Sequence, residues 1–268
     1  MGRRRASGKT AYANSEKSGR GRGTGENYEP WLKVTDVTNS AGMRSRFFSL
    51  KCGRMIHVLS RSEKLAFLHF DWREDVVAIY EQYALDPDAI QAIAEELKYP
   101  VPGYSQQDGF VMTTDLLVRI RRPSGRCSMH AYQVKSSRKD IEGSRTKQKL
   151  AIEQEYWKRK GVEWEIIFAE DFNPIFSANL DRLSNQRNLV YSAGDLSLMI
   201  DIVSTLQAEL PNVAVKQLRE ATIELSSNRT VSAEDMLLAL AAKKRISFAI
   251  ETKPIDSCVL KDFQIPYV

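Results

Sequence analysis

The spacing of apolar and polar positions predicts a group of strands near the middle of the chain. Two runs rich in β-branched and apolar side chains, residues 110–120 and 129–135, flank a Pro-Ser-Gly turn at 123–125. Because the connection is so short, the two runs are predicted to pair in antiparallel fashion. A helical run over 146–160 and a strand over 162–171 follow, which gives the order strand, strand, helix, strand.

Upstream of these strands the pattern predicts shorter elements. Residues 31–58 read as short strands, and a break at 52–54 between two apolar runs predicts a hairpin. A helix is expected to begin after Ser60, followed by a strand over 76–83 and a helix over 86–97. Together these elements predict an α/β domain spanning residues 29–172.

Beyond residue 173 the spacing becomes helical. Helices are predicted over residues 176–183, 196–210, 215–225 and 236–243. A terminal hairpin over 246–262 is predicted to follow. Helices followed by a hairpin fit a winged-helix module whose last helix ends in a basic edge. They fit a small helical interaction domain equally well, so both interpretations of residues 173–268 stay open.

Composition adds a predicted disordered basic arm over residues 1–28, which is rich in Gly, Ser, Arg and Lys and has little to bury. The formal net charge of the whole chain is +5, which permits a polyanionic partner. The arm is either a phosphate-neutralising segment or a solvated tail. No run approaches the roughly 18 apolar residues of a membrane span, and no apolar run of a signal peptide follows the first arginines. Three cysteines without a Cys-x-x-Cys pair predict a reducing, cytoplasmic compartment.

Candidate chemistry lies on the two central strands. Asp115 falls among apolar residues of the first strand, where a lone carboxylate is costly to bury. Gln133 and Lys135 are two positions apart on the second strand, so both side chains are predicted to point to one face. An acid, an amide and an amine on one patch form a set that phosphodiester hydrolysis needs. A simple ion pair between Asp115 and Lys135 is the structural alternative.

Two further acids have structural alternatives of their own. Glu63 lies three residues after Ser60, a spacing typical of a capping box at the start of a helix. Glu153 lies on the same helical stripe as Leu150 and Trp157, which places a carboxylate on an apolar face. Its alternative role is an exposed pair with a neighbouring lysine on the same helix.

Several segments together resemble the TnsA endonuclease family of heteromeric cut-and-paste transposons. They are HVLSRSEKLAFLHFDW, FVMTTDLLV, AYQVK and KLAIEQEYWKRKGVEW, and the similarity covers roughly residues 19–173. The resemblance implies a restriction-endonuclease-like fold, a central mixed sheet flanked by helices, with a smaller, mostly helical C-terminal domain. It implies that the site residues are Glu63, Asp115, Gln133, Lys135 and Glu153. Ser136 stands where other members can carry proline after the lysine.

The implied site is suited to hard divalent ions, because carboxylate, amide and carbonyl oxygens are ligands of Mg²⁺ and Mn²⁺. Asp115 is expected to bridge one or two ions, with Glu63 completing one coordination shell. Gln133 and the Val134 carbonyl are expected to complete the other. Lys135 would orient the attacking water and stabilise the phosphate charge.

The resemblance also implies a biological context. It implies cleavage of the 5′ strands at transposon ends, in DNA, together with the transposase subunit TnsB and the AAA+ regulator ATPase TnsC. Two other functions remain possible on sequence grounds: a stand-alone restriction or repair nuclease of the same fold, and a non-catalytic DNA-binding scaffold subunit.

Overall fold

The computed structural model describes residues 15, 17–36, 43–102, 111–225 and 230–265. The chain divides into two compact units, one ending at Asp171 and the other beginning at Phe172. The first residue of the predicted central strand, Phe110, lies outside the described residues. No helix in the described ranges is long and apolar enough to span a membrane.

A four-stranded mixed sheet forms the centre of the first unit. Its strands, in spatial order, are β3 (Val76–Ala84), β4 (Thr113–Arg121), β5 (Cys127–Lys135) and β6 (Glu163–Phe168). The first two neighbouring pairs are antiparallel, and β5 and β6 are parallel. A separate hairpin joins β1 (Ser45–Ser49) to β2 (Arg54–Val58). The mixed sheet and the predicted hairpin are confirmed.

Helices cover both faces of this sheet. They are α1 (Arg61–Trp72), α2 (Pro87–Glu96) and α3 (Ser144–Arg159). On one face, Ile93 of α2 and Ile152 of α3 are in the same buried cluster as Ala131 of β5. On the other face, Phe70 of α1 packs against Tyr132, with ring centroids 4.8 Å apart. Because Ala131 and Tyr132 are neighbours on β5, they point to opposite faces, so the sheet lies between the helices.

The prediction of a disordered arm was wrong for residues 17–28, while residues 1–14 and 16 lie outside the described part of the chain. Tyr28 is only 2% exposed, and its hydroxyl donates to the backbone oxygen of Glu81 at 3.0 Å. Gly21 has φ +70°, and a Cβ at this position would lie 2.9 Å from the Cβ of Ala84. A Gly-rich polar segment buries little by itself, so its order depends on β3, a tertiary contact that composition does not reveal. The strand predicted to begin at Trp31 was also wrong, because residues 34–36 form a turn.

In its described residues, the second unit contains three α-helices, α4 (Pro174–Arg187), α5 (Ala193–Glu209) and α6 (Ala233–Ala242), and a short antiparallel pair, β7 (Thr222–Glu224) and β8 (Thr230–Ser232). Met236, Leu237 and Leu240 of α6 are completely buried. The helix predicted over 215–225 was wrong, because a 3-10 helix over Val215–Arg219 and β7 occupy those residues.

The predicted terminal hairpin, on which the winged-helix interpretation depended, was also wrong. Its residues follow an irregular path with two 3-10 turns, Ile255–Ser257 and Leu260–Asp262. Isolated antiparallel bridges, Ala214 to Val259 and Ser247 to Gln264, and side chains from the helices hold this backbone in place of a continuous strand pair. Asn179 donates to the oxygens of Ile250 and Lys253 at 2.7 and 2.9 Å and accepts from the N–H of Ile255 at 2.8 Å. Buried backbone groups need partners, and amides from distant helices provide them here.

Substitution of Asn179 by alanine is expected to destabilise the second unit. Three backbone groups would lose their partner, of which the Ile255 N–H is buried and the Ile250 and Lys253 oxygens are partly buried. Each buried group left unsatisfied costs about 1–3 kcal/mol. Asn188→Ala is the matched control, because the Asn188 amide donates to the backbone oxygen of Ser184, only four positions earlier in the chain. Urea unfolding should give a much larger loss of stability for Asn179→Ala than for the control. Equal losses would contradict this account of the C-terminal segment.

Candidate active site

The structure brings all five predicted side chains to one end of the central sheet. Asp115 lies near the start of β4, and its Oδ2 accepts a hydrogen bond from the Val134 N–H at 2.8 Å. Gln133 and Lys135 lie at the end of β5. Because β4 and β5 are antiparallel, the start of one strand meets the end of the other. Asp115 is thus held directly against the Gln-Val-Lys segment.

Lys135 faces the two oxygen atoms that were predicted to bind a second cation. Its Nζ donates to Gln133 Oε1 at 3.0 Å and to the Val134 carbonyl at 3.3 Å. The positive charge of Lys135 also acts on Asp115. The lysine is only partly buried. Its ammonium group therefore lies next to the ligand oxygens and the carboxylates and could also contact a substrate.

Glu63 makes the contact with Ser60 that its spacing predicted. It lies in the first turn of α1, where its N–H donates to Ser60 Oγ at 3.1 Å and its Oε1 accepts from the same hydroxyl at 2.9 Å. Its other oxygen accepts from the Leu59 N–H at 2.9 Å. Glu63 is buried, with 7% of its surface exposed, and the negative charge of Asp115 acts on its carboxylate. Capping thus orients Glu63 toward the site.

Glu153 is completely buried and contacts the site through Thr114 and Gln133. Its Oε1 accepts from the Thr114 hydroxyl at 2.6 Å, and its Oε2 accepts from Gln133 Nε2 at 3.0 Å. Trp157 Nε1 in turn donates to Thr114 Oγ1 at 2.7 Å. The alternative of an exposed pair with lysine was therefore wrong. With its amide nitrogen held by Glu153, Gln133 presents its oxygen to Lys135.

The electrostatic environment disfavours ionised carboxylates. Burial, and then the negative charge of Asp115, raises the pKa of Glu63 to about 7. Burial likewise raises the pKa of Glu153 to about 7, although the hydrogen bond from Thr114 opposes this rise. Burial also raises the pKa of Asp115, and the charge of Lys135 partly offsets that effect. Burial therefore outweighs the positive charge of Lys135 at this site.

Sequence reasoning missed Gln82. Its Nε2 donates to Glu63 Oε2 at 3.1 Å and to Asp115 Oδ1 at 3.5 Å. A signal was present, because Glu81 and Gln82 form a polar pair in an otherwise largely apolar strand. Glu81 has a structural role on β3: its carboxylate accepts two hydrogen bonds from Arg54, at 2.8 and 2.6 Å.

The donors present fit a hard divalent cation, provided that uncharged oxygens take part. In the described part of the chain, no three His, Cys, Asp or Glu side chains are grouped so that they could hold a metal ion. The Glu63 and Asp115 carboxylates would therefore need the Gln133 amide oxygen and the Val134 carbonyl. All four are oxygen donors, which Mg²⁺ and Mn²⁺ prefer.

Comparison with known proteins agrees with the geometry. Residues 73–168 match a family model described as the TnsA-like endonuclease N-terminal domain, and this range contains Asp115, Gln133, Lys135 and Glu153. The chain is 33% identical over 252 residues to the Tn7 transposition protein TnsA of Escherichia coli, which covers 91% of this chain and 89% of that relative. Identity at this level over nearly the whole length shows common descent, and the chain therefore belongs to the TnsA family of transposition endonucleases.

Proposed function

We propose that this protein is a divalent-metal-dependent DNA endonuclease that cuts the 5′ strands at transposon ends during cut-and-paste transposition. The observation that carries the proposal is the grouping of Glu63, Asp115 and Glu153 around Gln133 and Lys135, with raised carboxyl pKa values. Mg²⁺ is the proposed ion, and Mn²⁺ could substitute for it. Bound cations would add to the positive charge of Lys135 and polarise the phosphate and water.

Glu63 and Asp115 would hold one cation, and Asp115 with the Gln133 amide oxygen and the Val134 carbonyl would hold another. The Val134 N–H keeps Asp115 in place for this task. Glu153 fixes the orientation of the Gln133 amide. Outer-shell partners of this kind orient the ligands that touch a metal.

Lys135 would act on the reacting phosphate. Its ammonium group lies at the edge of the carboxylate cluster, where it can orient a water and stabilise the charge that develops on the phosphate oxygens. The water oxygen forms a bond to phosphorus as the bond from phosphorus to the 3′ oxygen breaks. The departing oxygen takes a proton, which leaves a 5′-phosphate and a 3′-hydroxyl.

The proposed reaction takes place within an assembly. The similar Escherichia coli protein is a transposition protein of Tn7, which supports transposon-end DNA as the substrate. We propose the transposase subunit TnsB and the AAA+ regulator ATPase TnsC as partners, with the second unit of the chain contacting the ATPase. A nuclease with little sequence recognition of its own needs such control.

Replacing Lys135 or Asp115 with alanine is expected to abolish the 5′-strand cut and leave the 3′-strand cut intact. The loss should be about 10²- to 10⁴-fold in rate, as is typical for a group that acts on the transition state. The measurement is in vitro excision with each strand scored separately on denaturing gels. Lys158→Ala is the matched control, because Lys158 is exposed on α3 and pairs with Glu155. Wild-type cutting by Asp115→Ala would instead favour a non-catalytic scaffold subunit.

Metal-free protein is expected to lose stability as the pH rises from about 4.5 to about 7. In this window the unfolded chain has released the Glu153 proton, while the folded chain retains it because the folded pKa is about 7. Stability therefore falls with rising pH. Melting temperatures in EDTA should show the wild type losing stability relative to Glu153→Gln across this range. Added Mg²⁺ should restore stability near pH 7, because it binds the ionised site. A pH-independent difference between the two proteins would contradict the prediction.

The isolated protein is expected to cut DNA poorly and without site preference. Addition of the transposase subunit and the ATPase should produce cleavage at the transposon ends. This is checked by mapping the cut positions on end-containing and scrambled DNA with each combination of proteins. Vigorous, site-specific cutting by the protein alone would identify a stand-alone nuclease.

A further inference from the structure

Gln82 links two carboxylates that belong to different parts of the fold. Its amide nitrogen donates to Glu63 on α1 at 3.1 Å and to Asp115 on β4 at 3.5 Å. The side chain is 3% exposed. One NH₂ group therefore bonds one oxygen of each acid, across the gap that separates a helix from the sheet.

The orientation of this amide is fixed from its other end. Thr113 Oγ1 donates to Gln82 Oε1 at 3.0 Å, so the oxygen faces Thr113 and the nitrogen faces the acids. A flipped amide would place its oxygen against two carboxylates and its nitrogen against a hydroxyl, which is the poorer hydrogen-bond arrangement. These hydrogen bonds thus direct the amide nitrogen of Gln82, which is a donor, toward the two acids.

The backbone is unusual at the same residue. Gln82 has φ +49°, and among the described non-glycine residues with positive φ only Gln82 lies inside a strand. Such a conformation is uncommon for a residue with a side chain. The turned peptide places the Gln82 carbonyl within 3.1 Å of the Trp31 N–H, which donates to it.

This conformation changes which residues face the helices. Tyr80 and Tyr83 both pack into the cluster under α2 and α3, although they are three positions apart, whereas a regular strand alternates every second residue. The neighbouring strand β4 departs from alternation in the same way. Leu117 packs into that cluster and Thr114 bonds to Trp157 of α3. Both strands therefore break alternation between the same paired positions, and Gln82 and Asp115 occupy the break.

We propose that Gln82 is a positioning residue that holds Glu63 and Asp115 at the separation needed for a shared divalent cation. The two acids repel each other and lie on separate elements. Ser60 and Leu59 hold Glu63, and the Val134 N–H holds Asp115, whereas the Gln82 amide bonds to both acids and so sets their separation. This inference rests on the proposed metal-dependent function. It adds a residue that acts through the two carboxylates.

The test is calorimetric titration of metal-free, full-length protein with Mn²⁺, comparing the wild type with Gln82→Ala and Gln82→Gly. Glycine is included because it accepts φ +49° without strain, so the backbone is retained while the amide is removed. Both variants are expected to raise the Mn²⁺ dissociation constant about 10- to 100-fold, as loss of an outer-shell partner typically does. The melting transition should remain cooperative.

Gln91→Ala is the matched control, because the Gln91 amide also donates to a carboxylate, Glu95, at 2.8 Å, but on the exposed surface of α2. It should leave Mn²⁺ binding unchanged. Unchanged or tighter binding in the Gln82 variants would overturn the proposal, as would loss of cooperative unfolding in both. Asp115→Ala separates this result from the proposed function. If the wild type binds no Mn²⁺, or Asp115→Ala binds it equally well, the metal-dependent function fails and the inference fails with it.

Discussion

Burial of three carboxylates beside a single lysine is the constraint on which the site depends. Removing a charge from water costs several kcal/mol even in real proteins, and Glu63, Asp115 and Glu153 are gathered at one end of the sheet. The surrounding hydrogen bonds come from uncharged donors, namely the Val134 N–H, the Thr114 hydroxyl and the amides of Gln82 and Gln133. Such donors orient carboxylates but supply no full positive charge. The arrangement therefore favours protons or cations, and the proposed hydrolysis would use cations.

A fourth buried acid on the same sheet shows what a structural carboxylate looks like. Glu81 is completely buried, but Arg54 binds both of its oxygens and the His57 N–H donates to one of them at 3.0 Å. The pair connects the β1–β2 hairpin to β3, and Tyr28 adds the N-terminal segment by bonding to the backbone of Glu81. Breaking such a pair costs about 3–5 kcal/mol. A guanidinium on both oxygens of Glu81, against uncharged hydrogen-bond donors on Glu63 and Asp115, distinguishes the structural acid from the candidate site residues.

The central sheet was predictable from local patterns, whereas the candidate site residues were predicted as a set from the family resemblance. Turn residues at 123–125 and apolar runs on either side predict the β4–β5 pair, and the i, i+3, i+7 stripe of α3 places Glu153 inside. Predictions failed where order comes from distant partners. Residues 17–28 are ordered by β3, and the C-terminal segment is held by Asn179 and by isolated backbone bridges in place of a continuous strand pair. Local composition contains no information about such partners.

By itself the sequence determined the strand and helix periods and the turn between β4 and β5. These features depend on neighbours within a few positions, where backbone geometry and side-chain spacing act directly. The acids, the amide and the amine of the candidate site were named together through the family resemblance. Only the tertiary structure decided that Gln82 would join Glu63 to Asp115 and that Thr114 would orient Glu153. Those contacts join residues from 19 to 39 positions apart, and they exist because two paired strands break their alternation at the same place. The break in alternation arises where the two strands pair in the packed sheet, so neither strand predicts it alone.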